Sequence, residues 1–411
     1  MSFKYVNNCR ACGFGPSKTA SGIKLATSGD KLIPVFDLGV MPLANSFRKE
    51  GESNPGYYPL AVNYCPRCSL AQLSVVVDPH ILYDTYAYVT SPSATMEAHF
   101  EKLIANIESD TDGNSVLEIG SNDGRLLAMM QHKGYSVLGV DPAENLVEAA
   151  NANGVRTVKG FFGEDLARTL PQSDIVIARH VFCHVDDWKD FIRGLEAVSH
   201  KGTLICIEVP YAGDTLKNCE FDQVYHEHLS FLTVRAMGEL LKDSCLYLHK
   251  ITRYPIHGGA ILIMLKVGDL GYSIPILDWK ENITVEDWKA FGIEARAQID
   301  RLRNTVQAFR AQGKSVAALG ASAKSTVWIN ACGFTRKDIA FIADNTPQKQ
   351  LTVSPGTDIP VVDEGAILRE LPDYVILFAW NFWGSEIRDK FALARSKGVK
   401  FIIPVPKIVV V

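Results

Sequence analysis

The sequence predicts an α/β protein in three parts: a small cysteine-bearing module followed by two domains built on parallel sheets. Apolar strand-like runs at 115–119, 136–140, 174–178 and 203–208 alternate with helical stretches at 125–133, 144–153 and 188–198, the pattern of a parallel sheet with crossover helices. The alternation resumes late in the chain, with runs at 316–319, 339–344, 375–379 and 401–404. Residues 1–75 lack it; they are rich in turn formers and carry two Cys-x-x-Cys pairs.

Composition narrows the functional class. The chain has 411 residues, 47% hydrophobic and 21% charged, which suits a folded protein of two or three domains. Its formal net charge is −4, with Lys and Arg scattered along it, so no basic stripe suggests a nucleic-acid partner. No apolar run approaches the roughly 20 residues of a membrane span, and residues 1–8 lack a signal-peptide core; a cytoplasmic protein is expected. Nine cysteines is an odd count, and Cys183, Cys206, Cys219, Cys245 and Cys332 are dispersed, which argues against a disulfide framework.

In the first part, Cys9-Arg-Ala-Cys12 and Cys65-Pro-Arg-Cys68 can each present two thiolates to one ion, and four thiolates complete the closed tetrahedral shell of structural Zn²⁺. The interval between the pairs is longer than usual, so a folded insert must bring them together. A redox pair or unrelated free thiols is the alternative, weakened because two such pairs by chance are uncommon and neither opens a helix after a strand. A saturated shell leaves no open position, so the metal holds the fold and does no chemistry.

Residues 76–113 bring Tyr83, Tyr86 and Tyr88 and a helix from Thr95 to Ser109. The first strand then runs into Glu118-Ile-Gly120-Ser-Asn122-Asp123-Gly124, a strand-to-helix turn where glycine lets the backbone approach a ligand. Asp141, closing the next strand, stands where a carboxylate can accept from both ribose hydroxyls. A dinucleotide or S-adenosylmethionine could use this loop. Glu118, Asn122 and Asp123 favour the latter, because an acidic loop repels pyrophosphate and attracts an ammonium and a sulfonium.

Tyr225-His226-Glu227-His228 places four proton-handling side chains in a row, which satisfies no amphipathic period. In a cleft it is equipment for moving a proton to or from carbon; otherwise it is a polar loop with surface histidines. Beyond a hinge near 271–275, Thr284-Val-Glu-Asp287 resembles a capping box opening a helix to about residue 312. In Gly320-Ala-Ser322-Ala-Lys324 a lysine stands where a helix begins, which suits an anion, and Asp344 closes the following strand.

Phe36-Asp-Leu-Gly39, Pro42-Leu-Ala-Asn-Ser-Phe47, the two cysteine pairs, Glu118 to Gly124, Phe221 to His228 and His257-Gly-Gly259 together resemble the S-adenosylmethionine-dependent sugar C-methyltransferases, which act on nucleotide-linked 4-keto deoxysugars. The resemblance spans nearly the whole chain. It implies an N-terminal zinc-binding module (1–75), a class I methyltransferase Rossmann-like domain (76–272) and a C-terminal Rossmann-like nucleotide-sugar-binding domain (273–411). It implies His228 as the catalytic base with Tyr225 and Glu227 beside it, His184 lining the site, and one of Tyr86 and Tyr88 facing inward. Glu118, Gly120, Asn122, Asp123, Gly124, Asp141, Pro142 and Phe162 would serve S-adenosylmethionine; Ser322, Lys324, His257 and Trp380 would serve the nucleotide sugar; Cys9, Cys12, Cys65 and Cys68 would hold zinc. A monomer or homodimer with a small-molecule substrate is expected, with neither membrane nor nucleic acid.

Two departures fall near the expected acceptor. Gly259 is followed by Ala-Ile-Leu-Ile-Met-Leu-Lys266, where the family usually has a serine and a basic residue, and Arg179-His180 replaces small amides. Three rivals follow: a nicotinamide-dependent nucleotide-sugar oxidoreductase or epimerase using the Gly320 loop, a C-methyltransferase with a non-sugar ketone, and a zinc-ribbon scaffold or RNA-associated adaptor. The Glu118/Asp141 pair and the acidic balance speak against the last.

Overall fold

The computed structural model describes residues 2–16, 18–19, 22–23, 31–86, 94–256, 258–268 and 279–411; Tyr88, His257 and the hinge expected near 271–275 lie outside them. The chain divides into two compact units, each assembled from separated stretches. Unit 1 takes residues 1–33, 63–214 and 229–285, and unit 2 takes 34–62, 215–228 and 286–411. This interleaving differs from the contiguous three-part division read from the sequence, because short segments of each part pair with distant ones.

Unit 1 contains a seven-stranded sheet of β1 (Ser115–Ile119), β2 (Ser136–Asp141), β3 (Thr157–Lys159), β4 (Ile175–Arg179), β5 (Leu204–Pro210), β6 (Leu246–Tyr254) and β7 (Ala260–Val267). Their spatial order is 3-2-1-4-5-7-6; β1 to β5 run parallel, and β7 is antiparallel to both β5 and β6. This is the expected class I methyltransferase sheet. Side chains alternate across a strand, so in β4 Ile175 and Ile177 enter one core with Phe100, Leu103 and Ile107 of helix α1 (Ala94–Glu108). Val176 and Ala178 enter the other with Phe191 and Leu195 of a second helix, α4 (Trp188–Ala197). Both faces are covered, which is why the strands read as continuous apolar runs. The intervening helices, α2 (Arg125–His132) and α3 (Glu144–Ala152), fall within a residue or two of the sequence expectation.

The four cysteines of the two knuckles belong to unit 1. Both knuckles fold the same way: Gly13 N donates to Cys9 O at 2.9 Å and Ser69 N to Cys65 O at 3.0 Å, with Gly13 at φ +70° and Ser69 at φ +65°. A left-handed residue at that place closes the turn and points both sulfurs inward. Cys9 Sγ lies 3.4 Å from Cys68 Sγ, and Cys12 Sγ lies 3.6 Å from Cys65 Sγ. All four sulfurs fall within 4.8 Å of one another. Zn–S bonds of about 2.3 Å in a tetrahedron give edges of about 3.8 Å, so the four thiols fit zinc. Arg10, inside the first knuckle and buried, donates to Asp186 Oδ1 and to Leu229 O, both at 3.1 Å, which staples the knuckle to the loop beyond β4.

Unit 2 holds a six-stranded sheet of β8 (Val316–Leu319), β9 (Ile342–Asp344), β10 (Val361–Asp363), β11 (Tyr374–Leu377), β12 (Lys400–Ile403) and β13 (Val409–Val410), in the order 10-9-8-11-12-13. All but β13 are parallel. The helix announced by the capping-box sequence is α5 (Val285–Ala311), with Glu286 and Asp287 in its first turn. Helix α6 (Ala323–Cys332) is capped by Ser322, whose Oγ accepts from Ser325 N at 3.2 Å. No helix of the described residues is long and apolar enough to cross a membrane.

Cys65→Ser removes one of four sulfurs around a shared ion. Metal analysis is expected to give one zinc per parent chain and less than half of that in the variant, whose thermal midpoint falls by several degrees; equal melting of metal-free and parent protein would contradict a structural metal.

Candidate active site

Parallel strands end on one edge of a sheet, where their loops gather ligands. In unit 1 that edge carries Glu118 of β1, Asp141 of β2, Arg179 of β4 and, in register with Arg179, Glu208 of β5. The loop after β1 is tied back to β2: Gly120 N and Ser121 N both donate to Val140 O. Gly120 sits at φ +68°, and a Cβ there would come to 3.0 Å from the Val181 side chain, so any other residue would have to adopt a left-handed backbone and also push that side chain aside. Asn122, also at positive φ, turns its backbone N–H to Asp141 Oδ2, while Asp141 Oδ1 accepts from Ala143 N, each at 2.9 Å. Asp141 thus latches the glycine loop and the start of α3, beside Pro142, and its remaining lone pairs are what it could offer a ribose.

One carboxyl at this edge is left short of donors. Glu118 is fully buried, with Arg179 Nε 3.4 Å from one oxygen and no donor for the other among the described residues. Burial pushes it up to about 7, against the pull of Arg179. Burial also raises Asp123 and Asp141. A carboxyl held away from water and short of partners, as Glu118 is, fits a cationic ligand, and S-adenosylmethionine carries an ammonium and a sulfonium.

The unexpected Arg179-His180 pair has a structural explanation. Glu208 is fully buried, yet His99 Nε2 lies 2.8 Å from one of its oxygens and His180 Nε2 3.0 Å from the other. Burial works to raise it, but these imidazoles overcome burial and hold it well below the ordinary carboxylate range. Arg179 covers the Phe100 ring at 4.3 Å while pairing Glu118. His184 follows in the same loop; burial, then the charge of His180, draws it down to about 3, so it is neutral at pH 7. Its ring stacks on Tyr83 at 5.9 Å, and Tyr83 lies 5.6 Å from Tyr86. Phe162 packs on Phe191 at 5.1 Å as part of the core, whereas its neighbour Phe161 is exposed and meets Tyr83 and His80.

In unit 2, Tyr225 to His228 is no surface loop. His226, Glu227 and His228 are buried. His228 Nδ1 lies 2.9 Å from Gln223 O, and its Nε2 lies 2.6 Å from the Tyr225 hydroxyl. A carbonyl can only accept, so Nδ1 carries the proton and Nε2 is the basic nitrogen, receiving the phenol. His226 is spent differently: its Nε2 faces the carbonyls of Tyr58 and Pro59 at 3.3 Å, and burial pulls it down to about 4. Glu227 is gripped by Asn45 Nδ2, 2.8 and 3.0 Å from its two oxygens. Lys349, buried over the Phe47 ring, donates to Ala321 O at 2.8 Å; burial lowers it, and Asp344 and Glu227 counteract. Lys324 lies over the face of Trp380, 4.4 Å from its centroid. Sequence reasoning missed Lys349 and the partners Asn45, Glu208 and His99, which announce themselves only through contacts far apart in the chain.

Three family models match the chain: "C-methyltransferase C-terminal domain" over residues 276–406, "Methyltransferase domain" over 94–249 and "Putative zinc binding domain" over 27–83. The C-methyltransferase NovU of Streptomyces niveus is 30% identical over 419 residues, covering 98% of this chain and 96% of the relative. The chain belongs to the C-methyltransferase family. It is an S-adenosylmethionine-dependent enzyme with a structural zinc module. Solved structures with a similar portion include an S-adenosylmethionine-dependent methyltransferase from Clostridium acetobutylicum, 13% identical over 41% of this chain and 91% of that one, TM-score 0.34. Another, from Archaeoglobus fulgidus, is 15% identical over 41% and 93%, TM-score 0.33.

The raised carboxyl sets a pH dependence. Glu118 goes from an ordinary value of 4.5 to about 7 in the fold, so between these values the folded state binds more protons than the unfolded one, and stability falls as pH rises. With Arg179, Asp123 and Asp141 unchanged, Glu118→Gln is expected to remove about 3 kcal/mol of that decline between pH 4.5 and 7. Denaturant melts at both pH values test this; parallel curves for parent and variant would contradict it.

Proposed function

We propose that this C-methyltransferase acts on a carbon next to a ketone, C3 of a nucleotide-linked 4-keto deoxysugar, through an enolate formed by His228. The observation that carries this reading is the His228 imidazole, whose Nδ1–H is fixed on Gln223 O and whose Nε2 meets the Tyr225 hydroxyl. Hydrogen on carbon beside a ketone is acidic because the enolate spreads charge onto oxygen, and an imidazole of near-neutral pKa can remove it. As Nε2 takes that proton it can no longer accept from Tyr225, so the phenol is released to donate to the enolate oxygen. Glu227, the neighbouring residue in the chain, orients an imidazole in this reading. S-adenosylmethionine, bound by the β1 and β2 loops around Glu118, Gly120, Asn122, Asp123, Gly124, Asp141 and Pro142, supplies the electrophilic methyl.

His184 and an aromatic of the Tyr86-Ala-Tyr88 element line the acceptor in this reading. Lys324, Ser322 and Trp380 hold the nucleotide diphosphate, supported by the α6 N-terminus and the ammonium fixed on the indole face; His257, outside the described residues, is assigned to the same ligand by the family resemblance. The three functional parts keep the limits 1–75, 76–272 and 273–411, which the extents of the matching models support.

Mass spectrometry of a panel of nucleotide 4-keto deoxysugars incubated with S-adenosylmethionine is expected to show one gaining about 14 Da, a methylene. His228→Asn is expected to cut turnover by about 10²–10⁴-fold, the contribution of a general base, with unchanged cofactor affinity, and His226→Asn to be far milder. No gain on any sugar, or a His228 variant as fast as the parent, would contradict the proposal.

A further inference from the structure

Unit 2 buries a carboxylate that the proposed chemistry does not use. Asp222 is 0% exposed, and its Oδ2 accepts from two indoles, Trp328 Nε1 at 3.1 Å and Trp380 Nε1 at 2.9 Å. Its Oδ1 meets no donor among the described residues. An ionised carboxylate in the interior is costly unless a cation or several donors meet it, and an apolar side chain in its place would serve stability as well or better. Two indole donors on one oxygen point instead to a demand for position.

We propose that Asp222 is a positioning residue for the base, tying the Trp380 loop to the orientation of the His228 imidazole; this rests on the reading of His228 given above. Asp222 sits in the one-turn helix Phe221–Gln223. On one side of it the Phe221 ring meets the Trp328 ring edge-on, centroids 4.3 Å apart. On the other, Gln223 supplies the carbonyl that holds His228 Nδ1–H at 2.9 Å, while its own amide donates to Glu220 at 3.1 Å. Rotation of this turn carries the Gln223 carbonyl, and with it the imidazole and its bond to Tyr225. The indole that Asp222 fixes is also the one whose face Lys324 covers. A continuous set of contacts inside unit 2 therefore runs from Lys324 through Trp380, Asp222 and Gln223 to His228.

Three variants separate position from bulk packing. Trp380→Phe keeps a ring and loses the N–H; Asp222→Ala loses both bonds; Asp222→Asn keeps an oxygen able to accept both. The readout is the ¹⁵N–¹H signal of the His228 ring in the substrate-free enzyme, with S-adenosylmethionine affinity as the check on folding. Trp380→Phe and Asp222→Ala are expected to speed exchange of the Nδ1 proton, and Asp222→Asn to restore the parent signal. Where a 4-keto sugar is turned over, Asp222→Ala should lower kcat by about 10²-fold, the cost of a small misplacement. If Asp222→Ala does not fold, the other two variants decide by the same signal. Parent-like ring signals in folded Trp380→Phe and Asp222→Ala would overturn the proposal. Altered signals with no sugar methylated would leave the clamp standing and remove the substrate reading.

Discussion

Where each buried carboxylate finds its donors decides how this chain is arranged. Glu208 is met by two histidines, Glu227 by both contacts of one asparagine amide, Asp222 by two indoles, and Glu118 by a single guanidinium that leaves one oxygen bare. Removing such a group from water costs several kcal/mol unless hydrogen bonds replace the lost hydration. The compensated ones can serve as fixed points. Glu118, with one guanidinium at 3.4 Å and a raised pKa, marks where a positive ligand completes the arrangement.

The two units divide the labour along these lines. In unit 1 the parallel sheet brings acidic strand ends to one edge and the glycine turn clears space there. In unit 2 a nine-residue stretch from Glu220 to His228 is held at nearly every side chain: Phe221 and Asp222 on tryptophans, His226 on backbone carbonyls, Glu227 on Asn45 and His228 on Gln223 and Tyr225. An imidazole so restrained has one tautomer and one basic nitrogen, which is the preorganisation proton abstraction from carbon requires. The two imidazoles of the stretch differ in use because His226 gives its nitrogen to main-chain carbonyls while His228 keeps Nε2 for a phenol.

Local features were legible in the sequence. β1 and β8 fall where their apolar runs stand, and α5 starts at its capping box, because strand alternation and helix capping are properties of neighbouring residues. The cysteine pairs were legible for the same reason, each knuckle being a five-residue turn. Contacts between distant residues were not: Asn45 and Glu227 stand 182 positions apart, and Asp222 and Trp380 158 apart. The assignment of 34–62 and 215–228 to unit 2 escaped for that reason too. Arg179-His180 read as a departure from the family pattern, and its meaning emerged only with the carboxylates each residue pairs.

The proton step tests the account most directly. Incubating a 4-keto nucleotide sugar in deuterated water with enzyme but without S-adenosylmethionine isolates abstraction from methyl transfer. The parent enzyme is expected to wash deuterium into the carbon beside the ketone, and His228→Asn to lose that exchange. A variant that exchanges that proton as fast as the parent would contradict it.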